Sequence, residues 1–272
     1  MAGHEIMKGR VLIIAGSDSG GGAGVQADIK TVTALGGFAM TAITALTAQN
    51  TIGVQSIYEI PANFVREQMI SVLGDIGVDA IKVGMLHRPE IIETVVDVLA
   101  EKATMIPLVL DPVMVAKGGA GLIEKEAIIA LKNNLLPKAT LLTPNAPEAE
   151  ILSGTKVQTV ADSLTSAAIM LNKGAQNILM KGGHSEGDEL IDILVHGDGE
   201  PNYFKGPRIK TRNTHGTGCT LASACAVGLA QGLNLKKAVY RAHTYVRSAI
   251  QEAPGYGSGH GPLNHAHTLE KI

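Results

Sequence analysis

The chain has 272 residues, of which 45% are hydrophobic and 18% are charged, a composition typical of a globular protein with a sizeable buried core. Its formal net charge is −2, and it contains only three Phe, five Tyr and no Trp. The chain has no excess of basic residues and few aromatic side chains for base stacking, which argues against nucleic acid as a partner. No stretch has the length of a signal peptide core or a membrane span. We therefore expect a cytoplasmic protein.

The organisation of the chain predicts a single domain over residues 1–272, because no repeat or linker is long enough to divide it. Met7 is an alternative start, so residues 1–8 are interpreted as flexible or as non-native. The two cysteines, Cys219 and Cys225, lie in one predicted helix with poor geometry for a mutual disulfide. This favours a reducing compartment.

Short apolar runs alternate along the chain with stretches of helical periodicity. The predicted strands are 10–15, 38–48, 54–60, 80–86, 107–110, 139–142 and 177–180, followed by a two-stranded meander over 190–209. The predicted helices are 25–35, 62–73, 89–100, 123–135, 160–173, 217–231 and 235–252. This order predicts an α/β fold of three layers, with a mostly parallel central sheet and helices on both faces.

A glycine-rich loop at 16–24 separates the first predicted strand from the first helix, as in many nucleotide sites. The dinucleotide fingerprint fails because position 25 is Val, and a P-loop fails because the chain has no Gly-Lys pair. The glycines still allow the backbone to approach a ligand closely. Asp28 follows Gly24 by one helical turn, so it either faces the same cavity or is an ordinary exposed helix acid.

A second glycine-containing turn, within Asn213–Ala222, leads into the small-residue run Leu221–Leu229. A helix entered in this way presents free backbone N–H groups and a positive dipole end, which together can bind an anion. The same dipole is expected to lower the pKa of the Cys219 thiol in the first turn. The alternative interpretation is a capping loop before a core helix with a small buried cysteine.

A set of residues, most of them polar or glycine, follows the predicted strands at the edge where ligands bind in open α/β sheets. These strand-end residues are Gly16, Gln49, Gly84, Met85, Asp111, Asn145 and Lys181. Carboxylate and amide oxygens suit Mg²⁺, a lysine suits phosphate, and the set lacks zinc-type His and Cys spacing. Asn145 and Glu148 also match a capping box, which their spacing favours, and the two roles are compatible. Lys181 alone fits a solvated surface lysine equally well.

Together, a series of stretches closely resembles the hydroxymethylpyrimidine/phosphomethylpyrimidine kinases of the ribokinase-like superfamily. These stretches are 15–28, 44–51, 84–86, 110–114, 143–149, 180–184 and 213–220, and they cover nearly the whole chain in order. The resemblance implies a ribokinase-like fold and a homodimer. It also implies ATP–Mg²⁺-dependent phosphorylation of 4-amino-5-hydroxymethyl-2-methylpyrimidine, and then of its monophosphate to the diphosphate, in thiamine biosynthesis.

The resemblance also implies roles for individual positions. The pyrimidine would lie near Gly16, Asp28, Gln49, Met85, Val113 and Cys219. The Mg²⁺ ligands would be Asp111, Asn145 and Glu148. The transferred charge would be held by Lys181 and by the backbone of Gly216, Thr217, Gly218 and Cys219, with the Cys219 thiolate as base. Some family members carry Glu at the position of Gln49, so this contact differs within the family.

Two other functions stay open at this point. Pyridoxal or pyridoxine kinases of the same branch can share the Gly-Thr-Gly-Cys turn, although Gln49 followed by Asn50 favours an aminopyrimidine. A non-catalytic pyrimidine-binding protein would not need the phosphate and Mg²⁺ residues, so their presence argues against it. The glycine- and histidine-rich tail 255–266 is interpreted either as a flap over the site or as a surface loop.

Overall fold

The computed structural model describes residues 8–114, 123–182, 188–197 and 199–269. In these ranges the chain forms one sheet of nine strands. The strands are β1 (Arg10–Asp18), β2 (Phe38–Gln49), β3 (Val54–Glu59), β4 (Ala80–Val83), β5 (Leu108–Leu110), β6 (Leu141–Leu142), β7 (Asn177–Met180), β8 (Glu189–His196) and β9 (Asn202–Pro207).

The sheet has the order β3-β2-β1-β4-β5-β6-β7-β8-β9. The neighbours from β2 to β7 pair in parallel, whereas β3 on one side and β8 and β9 on the other pair antiparallel. The chain moves from β1 to β2 in one direction and then continues with β4 on the opposite side of β1. Such a reversal opens a crevice at the carboxyl ends of the strands, where ligands bind.

Helices cover both faces of this sheet. They are α1 (Gly24–Ala34), α2 (Ala62–Asp75), α3 (Pro89–Lys102), α4 (Lys125–Ala130), α5 (Ala146–Ser153), α6 (Val160–Asn172), α7 (Thr217–Ala230) and α8 (Leu235–Gln251). Helices α2 to α6 contribute to the larger apolar cluster, and α1, α7 and α8 contribute to the smaller one on the other face. The predicted three-layer α/β/α architecture is confirmed.

Strand β1 illustrates why the sequence folds into three layers. Leu12 and Ile14 pack into the larger cluster, and Val11 and Ile13 pack into the smaller one. Successive side chains of a strand point to opposite faces, so a continuously apolar strand must be covered on both sides. Helix α7 is buried along most of its length, as its run of small residues predicts.

The structure departs from the predicted elements in a few places. The predicted helix 123–135 is α-helical only over Lys125–Ala130 and continues as a π-helical turn over Leu131–Leu135. The predicted strand 80–86 ends at Val83, because Met85 leaves the ladder and its carbonyl accepts a hydrogen bond from Thr44 Oγ1 at 2.8 Å. Both departures lie toward the ends of the predicted elements, and the one at Val83 shapes the site.

The tail 255–266, interpreted as either a flap or a surface loop, contacts two turns. The backbone N–H of His260 donates to the Thr51 carbonyl at 2.8 Å, and that of His215 donates to the Gly261 carbonyl at 3.1 Å. No helix in the described residues is long and apolar enough to cross a membrane. The segment 1–8 was interpreted as flexible or non-native, and of it only Lys8 lies within the described residues. Residues 183–184 of the stretch 180–184 also lie outside the described residues.

Candidate active site

A cavity of about 480 Å³ lies at the carboxyl edge of the sheet, beside the reversal between β1 and β4. All the residues predicted to form the site line this cavity, with the exception of Asp28. The residues concerned are Gly16, Gln49, Met85, Asp111, Val113, Asn145, Glu148, Lys181, Gly216, Thr217, Gly218 and Cys219. The cavity therefore joins strand ends that are distant in the sequence.

A lysine–carboxylate cluster forms the middle of the cavity. The Lys181 ammonium lies 3.0 Å from Asp111 Oδ1 and 3.6 Å from Glu148 Oε2. Burial alone would lower the pKa of Lys181, but the two carboxylates raise it overall, so the lysine is charged. Burial raises the pKa of Glu148 despite the nearby Lys181. Lys181, whose side chain is only 13% exposed, is thus a fixed cation and not a solvated surface lysine.

Asn145 and Glu148 form a capping box at the start of α5. The Glu148 N–H donates to Asn145 Oδ1 at 2.9 Å, and the Asn145 N–H donates to Glu148 Oε2 at 2.8 Å. The capping interpretation is therefore confirmed. The described residues contain no group of three or more His, Cys, Asp or Glu that would enclose a metal. The pair Asp111 and Glu148 nevertheless fits Mg²⁺, which is commonly held by one or two carboxylates with phosphate and water completing its shell.

The N-terminus of α7 points into the same part of the cavity. Gly216 precedes it with φ of +81°, and a side chain there would collide with the Gly22 carbonyl, so the turn requires glycine. No side chain caps the helix. A Cβ atom added at Gly218 would lie 3.3 Å from Lys181 Nζ. The free N–H groups of the first turn and the lysine therefore converge on one anion-sized space.

The predicted low pKa of Cys219 is wrong. Burial raises the pKa of this thiol to about 12, although the Lys82 ammonium acts in the opposite direction. A helix dipole contributes about 0.3–1 kcal/mol, which is less than one pKa unit, so burial outweighs it here. In the free protein at neutral pH Cys219 is a thiol.

The expectation that Asp28 faces the cavity is also corrected. Asp28 and Lys82 are both fully buried, and Lys82 Nζ donates to Asp28 Oδ2 at 2.8 Å. Lys82 lines the cavity, whereas Asp28 lies behind it and accepts a second bond from Ser223 Oγ at 2.7 Å. The sequence analysis did not select Lys82. A lysine inside the apolar strand Ala80–Val83 was the available signal.

Gln49 lies at the other end of the cavity, beside a histidine that the sequence analysis did not assign. Gln49 Nε2 is 3.4 Å from His215 Nε2, which in turn is 2.8 Å from Asp18 Oδ2. Asp18 also accepts hydrogen bonds from the loop amides of Gly20, Gly22 and Ala23. Burial would raise the pKa of Asp18, but His215 and these amides lower it overall. The glycine-rich loop is therefore folded around a carboxylate.

A third part of the cavity lies between β8 and α8 and was also missed. It contains Asp192, His243 and Arg247 together with apolar side chains. Asp192 Oδ1 accepts from the Gly182 N–H at 2.8 Å, and its other oxygen lies 3.9 Å from His243 Nε2. Burial raises the pKa of Asp192 to about 6. An acid in the middle of the apolar strand β8 was the sequence signal.

Asp192 makes stability depend on pH. Its carboxyl has a pKa of about 6 in the fold, above the ordinary value of about 3.9 for Asp, so it favours the folded state below pH 4 and loses this contribution as pH rises through 6. The loss amounts to about 3 kcal/mol. We expect Asp192→Asn to gain about this much relative to wild type between pH 4 and pH 7. Urea unfolding of the ligand-free proteins measures it, and an identical pH dependence in both would contradict the assignment.

A cavity that joins an apolar recess to a lysine–carboxylate cluster and an anion-binding helix N-terminus defines, on this fold, a kinase of small molecules. The comparisons with known proteins identify the family. The family model for phosphomethylpyrimidine kinase matches residues 18–264. The chain belongs to the phosphomethylpyrimidine kinase family and has the ribokinase-like fold.

Similar proteins carry two kinds of name. A hydroxymethylpyrimidine/phosphomethylpyrimidine kinase from Streptomyces coelicolor is 48% identical, over 95% of this chain and 95% of that protein. A thiamine biosynthesis bifunctional protein from Geobacter sulfurreducens is 49% identical over 97% of this chain. The chain spans about half (54%) of the length of that protein.

The similar solved structures include kinases of two different names. Phosphomethylpyrimidine kinase from Clostridium difficile has a TM-score of 0.80 and 40% identity, covering 89% of this chain and all (100%) of that one. The pyridoxal kinase from Staphylococcus aureus, in complex with AMP-PCP and pyridoxal, has a TM-score of 0.88 and 34% identity, covering 96% and 95%. The fold is therefore common to kinases of two vitamin precursors.

Proposed function

We propose that this protein uses ATP and Mg²⁺ to phosphorylate 4-amino-5-hydroxymethyl-2-methylpyrimidine to its monophosphate, and the monophosphate to the diphosphate, in thiamine biosynthesis. One observation carries the proposal. A single cavity connects Gln49, the Lys181–Asp111 cluster and the N-terminus of α7. Relatives named for both phosphorylations are 42–48% identical to this chain.

The recess around Gln49 suits an aminopyrimidine ring. Met85 packs with Ala45 and Val113 in a small apolar cluster, which provides flat walls for a ring and its methyl group. Thr47 Oγ1 lies 3.1 Å from Gln49 Oε1 and 2.8 Å from the Ser17 carbonyl, two acceptors that share its single hydrogen. A carboxamide can donate to a ring nitrogen and accept from an exocyclic amine at once. These groups match the edge of the proposed substrate.

The part of the cavity between β8 and α8 suits the nucleotide. Leu190, Ile209, Val246 and Ile250 give it apolar walls, and Arg208 and Arg247 add positive charge. His243 Nε2 is buried without a hydrogen-bond partner among the described residues. A buried polar atom without a partner is costly, so a hydroxyl or base nitrogen of ATP is a suitable partner. The position of this part, next to Lys181, would place the phosphates at the α7 N-terminus.

Asp111 and Glu148 would hold Mg²⁺, and Asn145 would contribute the free lone pair of its capping oxygen. When bound, Mg²⁺ neutralises charge on the phosphates of ATP. Lys181 and the N–H groups of Gly218 and Cys219 bind the oxygens of the transferred phosphoryl group. Because phosphoryl transfer depends mainly on positioning and charge neutralisation, these fixed groups provide most of the proposed catalysis.

Cys219 would act as the base of the first step only. The hydroxymethyl group must lose a proton when its oxygen attacks phosphorus, whereas the phosphate oxygen that attacks in the second step is already ionised, with a second pKa of about 6. We expect Cys219→Ala to slow the first phosphorylation by about 10²-fold and the second by much less. Because burial raises the pKa of the thiol to about 12, wild-type activity in the first step should increase with pH from 7 to 9.

Separate assays of the two phosphorylations test this asymmetry. Cys225→Ala is the matched control, since Cys225 is buried in the same helix outside the cavity. Equal losses in both steps, or a first step that is independent of pH in wild type, would count against the base and favour a role of Cys219 in shaping the cavity.

Pyridoxal phosphorylation is the second candidate, and the likeness to pyridoxal kinase structures favours it specifically. Incubation with Mg²⁺–ATP and hydroxymethylpyrimidine, with pyridoxal in a parallel reaction, separates the two by product mass. Mono- and diphosphorylated pyrimidine would support the proposal. Phosphorylated pyridoxal without a pyrimidine product would overturn it, and no phosphorylated product would favour the non-catalytic pyrimidine-binding protein.

The remaining expectations from the sequence stay predictions. They are a single domain over 1–272, a homodimer, a cytoplasmic location and no nucleic-acid partner. Analytical ultracentrifugation and cell fractionation measure the second and third.

A further inference from the structure

A buried ion pair lies below the cavity, and the proposed reaction does not yet give it a function. The side chains of Lys82 and Asp28 are both 0% exposed, and their charged atoms are 2.8 Å apart. Two charges are removed from water at a cost that their attraction often does not offset. Apolar residues of similar volume would fill the same space in the core. A pair in this position therefore suggests a functional reason.

The orientation of the pair directs its positive end toward the reaction. Lys82 lines the cavity together with Cys219, whereas Asp28 does not. Asp28 is held from behind by Ser223, which donates to its second oxygen at 2.7 Å. Ser223 follows Cys219 by four residues in α7, so the two side chains lie on the same face of the helix. Through Ser223 and Asp28, the ion pair is therefore anchored one helical turn from Cys219.

We propose that Lys82 is a positioning residue whose ammonium group, held by Asp28, is the counter-ion for negative charge at Cys219. The inference rests on the proposed function. In the first phosphorylation the Cys219 thiolate takes the hydroxymethyl proton, so an O–H bond breaks and an S–H bond forms. The hydroxyl oxygen bonds to the γ-phosphorus of ATP, and the bond from that phosphorus to the β-phosphate oxygen breaks to release ADP. Lys82 keeps its proton throughout.

The charges that face Cys219 act with different signs. Burial is the main cause of the high thiol pKa, Lys82 lowers it, and Asp28 and Asp111 raise it. The Lys181 ammonium also interacts with Cys219, and it is left unchanged in every variant below. Burial would lower the pKa of Lys82, but Asp28 above all raises it, so the ammonium stays charged. Removing one partner of the ion pair should therefore change the thiolate population in the opposite direction from removing the other. A purely structural pair would not produce such a sign reversal.

Alkylation of Cys219 by iodoacetamide in the ligand-free protein tests the proposal. Rates are measured from pH 7 to pH 10, and the modified residue is located by mass spectrometry. We expect Lys82→Met to slow alkylation at pH 9 by about tenfold, and Asp28→Asn to accelerate it by about tenfold, each equal to one pKa unit. Ser223→Ala is the matched control. It removes a bond to Asp28 but no charge, so we expect less than about a twofold change.

Changes in the same direction for Lys82→Met and Asp28→Asn, or rates within about twofold of wild type in both, would overturn the proposal. If Lys82→Met does not fold, as judged by circular dichroism, Lys82→Gln in the Asp28→Asn background replaces it, because no buried charge is then left unpaired. Slower alkylation than in Asp28→Asn alone would support the counter-ion, and an unchanged rate would overturn it. The assay contains neither ATP nor a pyrimidine. A protein that failed to phosphorylate the pyrimidine would therefore still give a clear result here.

Discussion

We expect Asp111→Asn to lower kcat/KM by about 10²- to 10³-fold for both phosphorylations while the fold persists. The carboxylate accepts hydrogen bonds from Lys181 at 3.0 Å and from Thr143 Oγ1 at 3.3 Å, and it is the central anion of the lysine–carboxylate cluster. Asparagine has the same shape but no charge, so it weakens Mg²⁺ binding and leaves the lysine oriented toward Glu148. Both steps need the same phosphate geometry, and both should therefore lose activity equally.

Stability distinguishes this result from simple unfolding. Glu148 Oε2 remains 3.6 Å from the Lys181 ammonium, so the lysine keeps a carboxylate partner in the variant and its charge is not left unpaired. We expect a melting temperature within a few degrees of wild type and a higher Mg²⁺ requirement. Glu101→Gln, which removes an exposed carboxylate paired with Arg66, is the control for loss of one negative charge. Wild-type kinetics in Asp111→Asn would contradict the assignment of the cluster.

The strand-end part of this site is predictable from the sequence, and the reason is geometric. Asp111 and Lys181 directly follow short apolar runs, and Asn145 follows another after two residues. Parallel strands place such ends side by side at one edge of the sheet. The bridge between Asn145 and Lys181 shows this adjacency directly. A pattern of apolar runs therefore determines which polar residues meet, without any knowledge of their distances.

Burial is what the sequence does not determine. Helical spacing shows that Asp28 points in the direction of the glycine-rich loop, but not that Lys82 from β4 lies between it and the cavity. The pKa of the Cys219 thiol is equally hard to predict from the sequence, because it depends on a competition between the helix dipole and desolvation. The outcome depends on how deeply α7 packs into the sheet, which is a property of the whole fold. The expected charge state of Cys219 and the expected position of Asp28 therefore both failed, whereas the strand-end residues line the cavity as predicted.

Gly218→Ala separates catalysis from stability most clearly. Gly218 lies in the first turn of α7, and an added Cβ would be 3.3 Å from Lys181 Nζ and 3.6 Å from Asp111 Oδ2. In the proposed reaction the transferred phosphoryl group would enter this space, so we expect kcat/KM for both steps to fall by about 10²-fold, the effect of a displacement of about 1 Å. Alanine favours a helix over glycine by up to about 1 kcal/mol, so stability should be unchanged or higher.

Gly74→Ala in α2 is the matched control, because a Cβ there has no neighbour within 4 Å and any gain in helix stability occurs far from the site. Steady-state kinetics and thermal unfolding of both variants, measured together, test the anion site. If Gly218→Ala is as active as wild type, the phosphoryl group does not pass the N-terminus of α7, and Lys181 must bind phosphate from another side. If it is inactive because it unfolds, the turn contributes to stability in a way that its helical geometry does not predict. Loss of activity with retained stability would assign this glycine to transfer itself, since only a bound phosphate requires the space that its missing side chain leaves.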